Sequence, residues 1–471
     1  MPVRRLVPLV ALIASFLLLP AAAHASKSQS MMFEAPRELM SDDAALRAQT
    51  LDEVKGFGVD WMRVIVYWRD VAPDADSREA PDFDETDPNA YPGWGKYDRA
   101  INEMRERGIN PLITVTGPVP RWATEFKSDQ VTRPEPFRFE RFFEAALKRY
   151  PSVRHFSVWN EPNHPDFLQP QYSGQGDRRE VASGLIYRRL FQAATDARNK
   201  VRPDALLLFG ETAPRGNSNV AAPLEFFREA LCLTDSWNKR SGCEELEAHA
   251  YAHHPYTTQS GPGFVPSQRD HVTIGSLNRL NRALARAGEE DALRKGMGIW
   301  VTEFGIQSIP DPRGVTETAQ AEQRAVGERM AWNNPRVRMF AQYLMRDSDP
   351  IEGAPESERF GGFESGLRNN NGDLKRAYKA FPVPMVAKKV GRERVRTYLW
   401  GLVRPAEGAT RVSIDYASRS GDWRYLKADT TNSRGFWETN TTFVDDRRYR
   451  VRWTAPDGTE RVGPLTRVYD R

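Results

Sequence analysis

From Ser30 to Phe381 the chain alternates short apolar runs with stretches in which apolar residues recur every three or four positions, the pattern of strands joined by amphipathic helices. SMMFEA is expected as a first strand, followed by a helix over SDDAALRAQTLDEVKGFG with Ser41 as its N-cap and Gly56 or Gly58 as its stop. WMRVIVYW, INPLITVTG, HFSVW and ALLLFG read as the next four strands. Tyr97, Ile101 and Met104 share one helical face, and so do Phe139, Phe142, Phe143 and Leu147. The alternation continues through EAHAYAHHPY, GIWVTEFG and VRMFAQYLMR, and LKRAYKAF closes it. About eight βα units over this length predict a closed (β/α)8 TIM barrel, an α/β fold, spanning residues 26–384. No G-x-G-x-x-G follows the first strand, which argues against a doubly wound dinucleotide-binding sheet.

Beyond Pro384 the texture changes to short alternating segments, VRTYLWGLV, TRVSIDYA and YRVRWTA, separated by turn signals such as Asp457-Gly458. Residues 385–471 are therefore expected to form a small C-terminal β-sandwich, an accessory domain whose Trp400, Trp423, Trp437 and Trp453 are assigned to its core. At the other end, Arg4 and Arg5, the apolar run Leu6 to Leu19 and Ala23-His24-Ala25 form the three parts of a signal peptide over residues 1–25. The mature chain is accordingly expected to be secreted, with no membrane association after cleavage.

With 67 basic and 63 acidic residues and no dense Lys/Arg block, charge points to no nucleic-acid partner. Cys232 and Cys243 are the only cysteines. In a secreted chain such a close pair is expected to form a disulfide, and closing so short a loop contributes about 3 kcal/mol. His249, His253 and His254 lack HExxH-type spacing, so neither a metal nor another cofactor is expected.

Candidate chemistry lies where charge follows an apolar run. In HFSVWNEPNHP, Glu161 stands at the tip of the fourth strand, where barrel enzymes keep their reactive groups. Alone, such a glutamate is equally a strand-ending cap. GIWVTEFG repeats the arrangement with Glu303 at the end of the seventh strand, and hydrolysis of a glycosidic bond calls for two such carboxylates across one cleft.

WNEPN and TEFG at these positions resemble the signatures of the clan A retaining glycoside hydrolases, a group that includes cellulase-like family 5 and xylosidase-like family 39; the likeness spans about Ser30 to Phe381. The resemblance implies Glu161 as acid/base, Glu303 as nucleophile and Asn160 as the group that binds the substrate 2-hydroxyl. It further implies Arg63 on the second strand and His254 and Tyr256 after the sixth, with Arg63 and Tyr256 positioned to hold Glu303 ionised and in line. Many clan members end the eighth strand with a tryptophan; here FAQYLMRDSD offers Tyr343 or Met345 instead. Trp68 and Trp122 are further candidates for sugar contact. The implied protein is a secreted monomer that hydrolyses β-glycosidic bonds of a polysaccharide or glycoside. A non-catalytic glycan-binding or cell-wall scaffold, and a transglycosylase using the same site, are the alternatives.

Overall fold

The computed structural model describes residues 28–469 apart from 175, 177, 178 and 420; the leader assigned to residues 1–25 lies outside the described residues. Eight strands close into a parallel barrel in chain order: β1 (Ser30–Glu34), β2 (Trp61–Tyr67), β3 (Asn110–Thr116), β4 (His155–Val158), β5 (Leu206–Thr212), β6 (Ala250–His253), β7 (Gly298–Val301) and β8 (Val337–Tyr343), with β1 pairing β8. The predicted alternation is thus the observed one. One detail differs at the first long helix, Ala44–Gly56: its cap is Asp43, whose carboxylate accepts from the Ala45 and Leu46 amides, while the Ser41 hydroxyl, two residues earlier, accepts from the Asp43 amide. Asp43 alone lies within reach of the orphan N–H groups of the first turn.

Strand periodicity sorts the side chains. Phe33, Val64, Phe156, Phe209, Val301 and Phe340 point outward into the layer shared with the helices. Met32, Leu112, Leu208, Ala250, Trp300 and Met339 point inward and fill the barrel. At its N-terminal end Trp61, His155 and Trp300 pack ring against ring. Above this apolar plug the next inward positions are polar, including Glu34, two residues on from Met32, and Thr114, two on from Leu112. The barrel is therefore closed to solvent below and charged above, which confines chemistry to the C-terminal mouth.

The C-terminal strands run from β9 (Met385–Val390) to β16 (Thr466–Tyr469) and form a mostly antiparallel sheet in the order β12-β11-β14-β16-β9-β10-β13, with β15 on β14. The sheet doubles over, so that Lys427 on β12 (Arg424–Thr430) donates to the Thr439 hydroxyl on β13 (Phe436–Thr442) at 2.6 Å. Trp437 and Trp453 join Leu399, Ile414 and Val451 in the core between its layers and Trp400 is buried as well, but Trp423 is only half-buried, its ring covered by Arg450 at 4.5 Å rather than packed in the core. Trp400 and Phe436 pack on Trp332 of the barrel helix Glu317–Trp332, and Arg404 forms two bonds to Glu328 of the same helix, at 2.8 and 3.0 Å. Apolar burial and a buried ion pair thus join the two units on the helical side, away from the mouth. Among the described residues no helix is long and apolar enough to cross a membrane.

Candidate active site

Arg63 rises from β2 into the centre of the mouth, where it is fully buried. Each of its five N–H donors is used: Nε on the Thr114 hydroxyl (3.0 Å), Nη1 on Glu34 (2.8 Å) and Glu303 (2.6 Å), Nη2 on Asn160 Oδ1 (2.6 Å) and Glu211 (2.5 Å). A planar fork in one buried place ties together residues from β1, β3, β5 and the tips of β4 and β7.

Glu303 has both oxygens held. Oε1 accepts from Arg63, and Oε2 accepts from the Tyr256 hydroxyl at 2.8 Å. Burial alone would raise its carboxyl, but the charges of His254 and Arg63 and the Tyr256 hydrogen bond outweigh it and hold the group below its ordinary value. Glu303 is therefore an ionised carboxylate in fixed orientation.

Glu161 faces it. Its backbone adopts φ 37°, a left-handed conformation that costs a non-glycine residue about 1–3 kcal/mol, and Trp159 two residues earlier has φ 72°. Neighbours hold the strained turn. The Trp159 amide donates to Val115, the Asn160 amide to the Thr116 hydroxyl (3.0 Å), and the Glu161 amide to the Glu211 carbonyl (3.0 Å). Gly117 is required beneath it, because a Cβ there would stand 2.7 Å from the Trp159 ring. The turn aims Glu161 Oε1 at His254 Nδ1, 2.9 Å away, and the same nitrogen is 3.6 Å from Glu303 Oε2. Burial works to lower the His254 imidazole, but the two carboxylates raise it overall. One oxygen each of Glu161 and Glu303 and a nitrogen of His254 lie within 4.8 Å of one another. Three such donors could meet a cation, but Arg63 already places a positive charge 2.6 Å from Glu303 and Tyr256 takes its other oxygen. A second cation would be repelled by the first and would have to displace a hydrogen bond.

The structure brings Arg63, Asn160, Glu161, His254, Tyr256 and Glu303 into one constellation, with Tyr343 at its edge: the Tyr343 ring lies 6.2 Å from that of Tyr256. Trp68 and Trp122 are corrections. Both are 0% exposed; Trp68 stacks on Phe142 of the helix Pro136–Arg149, and Trp122 packs edge-on against Trp68. They are core, because both follow their strands into segments that fold back under the helix layer, so neither can present a face to a sugar. His253, whose ring nitrogens lie 2.9 Å from the Thr212 hydroxyl and 2.8 Å from the Val272 carbonyl, is driven down to about 3 by burial and stays neutral.

Three residues that sequence reasoning missed belong to the site. Glu34, at the tip of β1, is pushed up to about 8 by burial in spite of Arg63, so it is protonated at neutral pH. Glu211 sits at a register shift in β5 with φ 49°, and the bulge turns its carboxylate inward to Arg63 and to the Thr114 hydroxyl (3.0 Å). Both carried the signal used for Glu161 and Glu303, a glutamate ending an apolar run. Phe363, in the loop after β8, is 38% exposed and packs on Tyr343 with ring centroids 4.9 Å apart. It lines a cleft of about 950 Å³ that also reaches Glu161 and Tyr256.

No family model matches the sequence, and no curated protein matches it significantly. Solved structures do. A family 39 glycoside hydrolase from the gut symbiont Bacteroides cellulosilyticus WH2 is similar over 91% of this chain and 81% of its own, at 16% identity and a TM-score of 0.50. A monomeric β-xylosidase from Caulobacter crescentus CB15 is similar over 93% and 96%, at 15% identity and 0.49. A β-glucosidase from Exiguobacterium marinum follows over 76% and 98%, at 13% and 0.47. Coverage of 91% is more than the barrel alone can supply, so the likeness to the family 39 structure extends into the C-terminal sheet. In fold, the chain is a (β/α)8 barrel with a C-terminal sheet, similar to that of the family 39 glycoside hydrolase.

Proposed function

We propose that the protein is a retaining glycoside hydrolase that cleaves β-linked glycans by double displacement, with Glu303 as nucleophile and Glu161 as acid/base. One observation carries the reading: carboxylate oxygens of Glu161 and Glu303 face each other within 4.8 Å. Retaining enzymes hold their carboxyl groups about 5–5.5 Å apart, whereas inverting enzymes leave roughly 6.5–9.5 Å for a water. In the first step a Glu303 oxygen bonds to the anomeric carbon as the C–O bond to the leaving group breaks, and Glu161 gives its proton to the departing oxygen. Glu161, now a carboxylate, then takes a proton from water, whose oxygen attacks the same carbon and frees Glu303. His254 Nδ1, 2.9 Å from Glu161, is in place to share the proton between the two steps. Asn160 commits Oδ1 to Arg63, which leaves its amide N–H groups to donate to a sugar hydroxyl.

The reading includes export directed by residues 1–25, a barrel unit over 26–384 and an accessory unit over 385–471. Hydrolysis of a panel of β-linked glycans, followed by NMR of the first-formed anomer, tests the chemistry. Retention of configuration, with turnover abolished in Glu303→Gln and Glu161→Gln while glycan binding persists, is expected. First-formed inverted product, or full activity in Glu303→Gln, sinks the mechanism.

A further inference from the structure

The large cleft is not symmetric about the two carboxylates. Glu161 lines it and Glu303 does not; its walls come mostly from the loops after β5, β6 and β7, with Phe363 added from the loop after β8. On the glycosidase reading, on which this inference rests, Glu161 protonates the departing oxygen, so the space beyond Glu161 is where the leaving group lies. At about 950 Å³ it is roomier than one sugar ring needs. Its uncharged lining suits a glycan: Asn217, Thr258, Gln268 and Gln307 offer amide and hydroxyl groups.

Its charge is specific. Arg215 and Arg313 both line the cleft, both are exposed, and neither has an ion pair among the described residues. The other charged groups there face other partners. Asp311 is buried, with Oδ1 turned to the Arg313 backbone N–H at 2.7 Å, and forms an ion pair with neither guanidinium. His271 Nε2 accepts the Gly216 amide at 3.1 Å, and burial together with Arg215 lowers the ring, so it is neutral. His164 lies 3.6 Å from Asp166, and Glu161 is turned to His254, 2.9 Å away. Two unmatched guanidiniums remain, in a chain whose overall charge is only +4.

We propose that the leaving-group half of this cleft binds an anionic glycan, whose carboxylate or sulfate groups are held by Arg215 and Arg313. Guanidinium forks match both anions with paired hydrogen bonds. A second feature points the same way. The loop that supplies Gln268 and His271 to the cleft turns Arg269 and Asp270 to a neighbouring groove of about 730 Å³. Arg228 in that groove is taken by Asp270 at 2.7 Å and Asp235 at 3.4 Å, and Arg286 by Glu289 at 3.1 Å, whereas Arg269, Arg279 and Arg282 line it with no ion pair among the described residues. An acidic chain leaving the cleft crosses a single loop onto further positive charge.

Calorimetric binding to the full chain tests this, with glucuronoxylan oligosaccharides and their carboxyl-reduced forms as one pair of probes and chondroitin sulfate and its desulfated form as another. The acidic member of at least one pair is expected to bind roughly tenfold tighter than its neutral partner, less so in high salt. The Arg215→Gln/Arg313→Gln double variant is expected to erase that preference while leaving the neutral probe's affinity unchanged. The pair that shows the preference identifies the anion. Equal affinity within both pairs, no binding of any acidic probe, or a preference that survives the double variant overturns the proposal. Hydrolysis is scored separately: an anion preference without turnover of any glycan removes the glycosidase reading alone, whereas turnover confined to neutral glycans, with no preference, removes only this one.

Discussion

Replacing Arg63 with methionine tests the centre of the site. The side chain keeps an unbranched apolar stem but loses its planar head, with the charge and five donors that now serve Glu34, Glu211, Glu303, Asn160 and Thr114. Glu34 is protonated already and loses one partner, but Glu211 and Glu303 become buried carboxylates facing no guanidinium. Removing one member of a buried pair costs about 3–5 kcal/mol, a large share of the roughly 5–15 kcal/mol that holds a domain folded. The cost depends on pH with a definite sign. In the wild type Glu303 lies below its ordinary value, so its contribution is present above about pH 4.5 and fades as the pH falls. In Arg63→Met burial acts unopposed by Arg63, the carboxyl moves upward, and the folded state loses stability as the pH rises. The gap between the proteins should therefore widen from pH 5 to pH 8. Urea unfolding followed by near-UV circular dichroism at both pH values measures it, with Arg63→Lys, one point charge in place of a fork, falling between. A loss below about 1 kcal/mol, or a gap that narrows as the pH rises, would refute the reasoning.

Glu34→Gln mimics the protonated side chain. Between about 4.5 and about 8 the unfolded wild type loses the Glu34 proton while the folded one keeps it, so wild-type stability falls with rising pH by up to about 1.4 kcal/mol per unit. The variant lacks that slope, and its Tm should match the wild type near pH 4.5 and exceed it at pH 8; parallel Tm curves would remove the assignment. Tyr256→Phe deletes the 2.8 Å bond to Glu303 and is expected to lower kcat about 10- to 100-fold and move the acid limb of the kcat/KM profile to higher pH, with the circular dichroism spectrum unchanged. Cys232→Ser opens the bridge to Cys243, 11 residues on, and is expected to cost up to about 3 kcal/mol in thermal unfolding without changing kcat, because the loop lies outside the mouth.

The strands were legible because each is a short apolar run between turn signals, and the helices because residues such as Phe139, Phe142, Phe143 and Leu147 repeat at helical spacing. Residue type and position also marked out Glu161, Glu303 and Arg63. The same rule, a glutamate ending an apolar run, applied equally to Glu34 and Glu211, and nothing local ranks the four. Trp68 and Trp122 failed for a related reason: an aromatic just past a strand looks the same whether the following segment opens to the cleft or folds beneath a helix. The β5 bulge that turns Glu211 inward is a register shift against β6, a relation between strands with no local pattern.

By itself, the order of apolar and polar residues determined that eight βα units would close into a barrel and that charge would collect at the strand tips, since periodicity and turn chemistry act over a few residues at a time. Only the tertiary structure decided which charges meet. Arg63 and Glu303 are 240 residues apart and touch at 2.6 Å, and that contact, with Tyr256 and His254 beside it, makes one glutamate an anion while burial keeps Glu34 a neutral acid. Protonation in a buried cluster follows from distances of a few ångströms and from the loss of water, and those exist only once the chain has closed on itself.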